Sequence, residues 1–149
     1  MDLERLFLLR EENDLTQEKM GMIVNTKKWS ITKWENGKEI IPLPKLNIYA
    51  NYFNTSMDYI LKLTNKKGSS ISCSILDPKI VGQNIKKVRK DNNISQRELA
   101  KELGTTQSVI YGYENGKFLI LTAFAYQICI KYNVSMDWLC GRVDNKSIK

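Results

Sequence analysis

The chain repeats itself. Shifted along itself by 79 residues without a gap, residues 2–67 fall on residues 81–146 with 15 identities in 66 pairs. Gln17 meets Gln96, Glu35-Asn36-Gly37-Lys38 meets Glu114-Asn115-Gly116-Lys117, Asn54 meets Asn133, and Ser56-Met57-Asp58 meets Ser135-Met136-Asp137. Many other pairs are conservative, such as Leu6 with Ile85 or Tyr59 with Trp138. A register held without insertion means that one fold occurs twice. Two repeats are too few and too globular for a solenoid, so each has to close a core of its own.

The division that follows is a first domain over residues 1–64, a linker over 65–77, a second domain over 78–145 and a tail at 146–149. Lys66-Lys67-Gly68-Ser69-Ser70 reads as a flexible linker. Asp77 before Pro78 marks a helix start, with Asp as cap and Pro in the first turn. A hydrophobic fraction of 42% and a charged fraction of 26% are those of a globular protein with apolar material for one medium core or two small ones. The formal charge is +7, and it is spread out: residues 1–67 carry 11 basic and 9 acidic side chains, residues 68–149 carry 12 and 7. Such a balance fits a polyanionic partner, or simply a solvated basic surface.

Other classes lose ground on residue types. The cysteines Cys73, Cys129 and Cys140 are odd in number and not closely spaced, and there is no histidine, which argues against a disulfide scaffold or a zinc site. No glycine-rich phosphate loop or recognisable carboxylate pair supports an enzyme, and no cofactor or metal is expected. Leu6–Leu9 is too short for a signal peptide and follows Asp2 and Glu4, and no stretch approaches membrane-spanning length, so the expected location is the cytoplasm. Cys129 and Cys140 are expected near the core, with Cys73 as an exposed linker thiol.

In the second copy, Ile85 and Val88 share one face of a helix from about Pro78 to Asp91. Ser95-Gln96-Arg97-Glu98 has the form of a capping box that opens a second helix, with Leu99 and Leu103 inward, which stops at Gly104. Thr105 or Thr106 then caps a third helix that turns Ile110 and Tyr113 inward and ends at Asn115-Gly116. The first copy varies these devices: Thr16 as cap, Met20 and Val24 inward, and Asn25 where the turn needs positive φ. A small residue, Gly21 or Ala100, lets the third helix cross the second closely. A fourth helix (about Pro44 to Phe53, and Leu121 to Tyr132) and a fifth (Met57 to Leu63, and Met136 to Cys140) complete each unit. Trp34, Tyr113, Tyr59 and Trp138 fall at inward positions and are expected in the core, which disfavours single-strand binding by stacked aromatics.

In its opening glutamines, the Glu-Asn-Gly-Lys ends, Gly104-Thr105-Thr106-Gln107, and the final Ser-Met-Asp-Tyr-Ile-Leu and Ser-Met-Asp-Trp-Leu-Cys, the chain resembles the helix-turn-helix domain of phage Cro and repressor proteins, the XRE family, over almost its whole length. The resemblance implies an all-α chain of two five-helix lambda-repressor-like domains in tandem. It implies structural ion pairs Arg10–Glu35 and Arg89–Glu114. It also implies that the third helix of each copy enters the major groove. Base-reading positions would then be Lys27, Lys28, Trp29 and Lys33 in the first copy, and Thr106, Gln107 and Ser108 in the second. Gly112, also outward by this match, offers no side chain. Gln17, Asn36, Lys38, Gln96, Asn115 and Lys117 match positions that hold phosphate or sugar. The competing reading of the lysines is a solvated helix face or nonspecific phosphate contact, and that of Asn36-Gly37 and Asn115-Gly116 is a plain helix stop. Trp29 could pack on a thymine methyl, touch a partner, or cover the end of its helix.

The expected function is a sequence-specific regulator of transcription on double-stranded DNA, a repressor by resemblance. It would act on an inverted or direct repeat as a monomer, or as a homodimer on four half-sites, with a regulatory protein partner or abundance in place of a small-molecule effector domain. The alternative is a protein-interaction module, an antirepressor or antitoxin-like subunit in which one copy serves dimerisation.

Overall fold

The computed structural model describes residues 1–68, 73 and 75–148; Ser69 and Ser70 of the expected linker and Lys149 of the tail lie outside them. The described residues form ten helices and no strand, in two units, Met1–Ser74 and Ile75–Ile148. The first unit holds α1 (Glu4–Glu12), α2 (Gln17–Ile23), α3 (Lys28–Glu35), α4 (Leu43–Tyr52) and α5 (Met57–Ile60). The second holds α6 (Pro78–Asp91), α7 (Gln96–Leu103), α8 (Gln107–Glu114), α9 (Thr122–Tyr132) and α10 (Met136–Leu139).

Local chemistry sets most of these boundaries. The side chains of Thr16, Ser56, Asp77, Ser95, Thr106 and Ser135 each accept a hydrogen bond from an orphan amide at a helix start. At α7 the capping box is complete, since Glu98 also accepts from the Ser95 amide at 2.6 Å. Chain reversals occur at left-handed residues, and these recur at the 79-residue interval: Asp14 and Asn93, Asn25 and Gly104, Gly37 and Gly116, Asn54 and Asn133, Lys62 and Gly141. The left-handed bends at Lys62 and Gly141 follow α5 and α10, which are shorter than expected and end at Ile60 and Leu139.

Each unit closes its own core. Leu6, Leu9, Met20, Ile31, Trp34, Leu46, Tyr49, Met57 and Ile60 are buried in the first, and Val81, Ile85, Leu99, Ile110, Tyr113, Ile128, Met136 and Trp138 in the second. Three expectations shift. Tyr59 is only half-buried, with the Arg5 guanidinium 4.1 Å from its ring centroid. Cys73 is half-buried rather than an exposed thiol; its carbonyl accepts from the side-chain amides of Asn47 and Asn51, which anchors the chain on α4. Gly112 is buried beneath the Phe118 ring.

Close helix crossings need small residues. A Cβ on Gly21, in α2, has the Thr26 carbonyl oxygen at 2.9 Å, so the turn into α3 presses on that helix as the small-residue pattern required. Gly82, in α6, lies against the carbonyls of Tyr113 and Glu114 at the end of α8.

Candidate nucleic-acid interface

What positions the third helix of each unit is a buried polar clasp. In the first unit Arg10, on α1, donates from Nε to Glu35 Oε1 at 2.6 Å and from Nη2 to Oε2 at 3.0 Å. In the second, Arg89 on α6 donates from Nε to Glu114 Oε1 at 2.5 Å and from Nη2 to Oε2 at 3.1 Å. Both are forked guanidinium–carboxylate pairs. Hydrogen bonding to the carboxylate raises the pKa of each arginine above its ordinary value. The same guanidinium reaches the turn between the first two helices, donating to Leu15 O at 2.7 Å or Ile94 O at 3.0 Å. One residue therefore ties three segments together.

The glutamines complete the clasp. Gln17 Nε2 donates to Glu35 Oε2 at 2.8 Å, and Gln96 Nε2 donates to Glu114 Oε2 at 2.8 Å. The first residue of α2 or α7 is thereby hooked to the last residue of α3 or α8, which fixes the angle between the two helices. In the first unit Thr32 Oγ1 also donates to Gln17 Oε1 at 2.8 Å. Residue patterns alone carried no signal for this role of the glutamines, because it depends on how the helices cross.

With the last residue of α3 clasped inward, its leading end faces solvent. Lys27, Lys28 and Trp29 are exposed, Trp29 to 62%. Lys33 is half-buried; it pairs with Glu39 at 2.5 Å and sits 5.8 Å from the Trp29 ring. Asn36 and Lys38 are exposed just beyond the helix. On α8, Thr106, Gln107 and Ser108 are exposed at the leading end, with Thr106 serving as the cap. Asn115 and Lys117 are exposed at the far end, where the Asn115 amide donates to Tyr111 O at 2.8 Å.

Gly112 corrects the expected outward row. It is covered by Phe118, and a Cβ there would lie 2.5 Å from the ring. The positions of Gly112 and Phe118 are those of Lys33 and Glu39 in the first unit, so an exposed ion pair in one copy is an aromatic-on-glycine contact in the other. A residue not expected here, Tyr111, is exposed one position earlier. Together with Gln96, Gln107, Ser108 and Lys117 it lines a shallow cleft of about 400 Å³, with the Lys117 ammonium 5.1 Å from its ring centroid. Its signal was the helical spacing of four from Gln107. Among the described residues no group of His, Cys, Asp or Glu could hold a metal ion, and no helix is long and apolar enough to cross a membrane.

A helix-turn-helix domain family model matches residues 3–66 and again 82–144. The chain belongs to this family, of the XRE or Cro/C1 type, as two tandem copies of a DNA-binding, non-enzymatic domain. Relatives include antitoxin PezA of Streptococcus pneumoniae, 38% identical over 62 residues, a match that spans 42% of this chain and only 39% of PezA. The ImmF control region 10 kDa protein of Bacillus phage phi105 is 35% identical over 44% of this chain and 72% of its own length. The uncharacterised transcriptional regulator YobD of Bacillus subtilis is 34% identical over 58% and 69%. Among solved structures, the restriction-modification controller protein C.AhdI of Aeromonas hydrophila aligns with a TM-score of 0.39 at 22% identity, over 42% of this chain and 96% of its own.

Proposed function

We propose that this protein is a sequence-specific transcriptional repressor that inserts the leading ends of α3 and α8 into the major groove of double-stranded DNA. The observation that carries this reading is the pair of matched clasps. Each fixes its third helix from the inside, by its last residue, and leaves the side chains of its leading end exposed to solvent. Lys27, Lys28 and Trp29, and Thr106, Gln107 and Ser108, then meet base edges, with Lys33 released from Glu39 on binding and Tyr111 flanking Gln107. Gln17, Asn36, Lys38, Gln96, Asn115 and Lys117 hold phosphates; for the glutamines the second amide hydrogen serves, since the first is committed to Glu35 or Glu114.

The two helices offer different chemistry. Lysine donates to guanine O6 and N7, whereas Gln107 pairs with adenine N6 and N7. The test is selection of binding sites from random duplexes by the intact chain and by Lys28→Ala and Gln107→Ala. Each variant is expected to lose discrimination in one half-site only, by about 1–3 kcal/mol. Each phosphate lysine removed should also lower the salt slope by roughly 0.9. Equal loss in both half-sites, or no selected sequence, contradicts the reading.

The similarity to a protein named as an antitoxin favours a second reading, in which one unit serves a protein partner. Under it, one of the two variants would leave the selected site unchanged.

A further inference from the structure

The duplication supplies an internal control. Where the two copies share a backbone position but differ in chemistry, the fold does not dictate the side chain. The outer face of the first helix is such a place. Glu4, Phe7, Leu8 and Glu11 are spaced as one stripe along α1, and at the matching positions α6 carries Gln83, Lys86, Lys87 and Lys90. All eight residues are exposed, Phe7 to 41% and Leu8 to 40%. The core beneath α1 is filled by Leu3, Leu6 and Leu9 and does not use Phe7 or Leu8. Since lysines occupy those two places in the second unit without loss of the fold, the apolar pair is not there for packing.

We propose that the α1 stripe of one chain docks the α6 stripe of a second copy of this chain. The fit is one of charge and of shape. Lysine ammonium groups meet Glu4 and Glu11, while their aliphatic stems cover Leu8 and the Phe7 ring, against which an ammonium is also attracted. Glu4 accepts from Lys62 at 2.6 Å and Glu11 from Arg10 at 2.5 Å, and the Arg10 guanidinium lies 5.4 Å from the Phe7 centroid. A carboxylate accepts several donors, so these contacts orient the acidic groups without exhausting them. On α6, Lys87 lies 3.4 Å from Asp91, and Lys86 and Lys90 enter no ion pair among the described residues. Nucleic acid would satisfy the α6 lysines but not a stripe of glutamate, phenylalanine and leucine. A second copy satisfies both at once.

The experiment is sedimentation velocity of the full chain over a concentration series, without DNA, so that it does not share its fate with the DNA-binding proposal. One variant carries Leu8→Lys with Glu11→Lys, which installs the residues the second copy tolerates at those places; the other carries Lys86→Glu with Lys87→Glu. Circular dichroism checks that both remain helical. The wild-type chain should self-associate with rising concentration, and each variant alone should do so at least roughly tenfold more weakly. An equimolar mixture of the two should regain association, because each supplies the stripe the other lacks. A wild-type chain that stays monomeric, a variant that associates as the wild type does, or a mixture no better than its components would overturn the proposal.

Discussion

Glu35 and Glu114 close the third helix of each unit. Each carboxylate takes two hydrogen bonds from an arginine and one from a glutamine. Side-chain exposure is only 2% at Glu114 and 12% at Arg89, so the pair is largely out of water. Removing one partner strands the other charge where it cannot be solvated. Glu114→Ala should therefore lower unfolding stability by about 3–5 kcal/mol in urea titration, against under about 1 kcal/mol for Glu39→Ala, whose partner Lys33 is at the surface. Family resemblance made the arginine–glutamate pairs legible from sequence. The glutamine hook was not legible, because residues 17 and 35 meet only once the helices have crossed. Nor was the exchange of Lys33–Glu39 for Gly112–Phe118, in which a position read as facing outward turns out to be roofed by an aromatic ring.

At the scale of the helices, the strongest local signals translated most directly. Asp77-Pro78 and Asp91 bound α6 as the sequence pattern required, and Ser95 with Glu98 forms the full capping box. The fourth and fifth helices were less well bounded by pattern: α4 starts at Leu43, before rather than at Pro44, and α5 and α10 stop early. The early stops of α5 and α10 go with the left-handed bends at Lys62 and Gly141, and of these two residues only glycine carries a turn signal. The capping box has a pH signature. The Ser95 amide, donating to Glu98, holds that carboxyl below its ordinary value of 4.5. A lowered pKa contributes stability above the unfolded value, lost as pH falls through the folded one. The urea midpoint should thus fall between about pH 5 and pH 3 more steeply in the wild type than in Glu98→Gln, whose side chain cannot titrate.

Two separately closed cores carry a consequence at the scale of the whole chain. The methyl of Gly82→Ala would collide with the Tyr113 carbonyl oxygen and approach that of Glu114 to 2.9 Å, backbone atoms that cannot swing aside. Overpacking of this kind costs about 1–3 kcal/mol. Its effect should stay local: hydrogen exchange followed by mass spectrometry is expected to quicken across Ile75–Ile148 and leave Met1–Ser74 unchanged. Equal quickening in both would mean that the two cores unfold as one. Two-unit organisation was the most legible property of all, since an unbroken register over the repeat leaves few other solutions. What each unit contacts was the least legible, because exposed residues answer to partners and not to the fold.

The matched bends at Asn25 and Gly104, and at Gly37 and Gly116, bracket the third helix of each copy at the same two points. Such a segment is a cartridge: its contents can be rewritten, or traded between the halves, while the housing stays as it is. On the proposed reading, in which each copy recognises its own half-site, a duplicated gene of this design can change one address and keep the other, so its regulatory wiring can drift in steps that never leave it without a target.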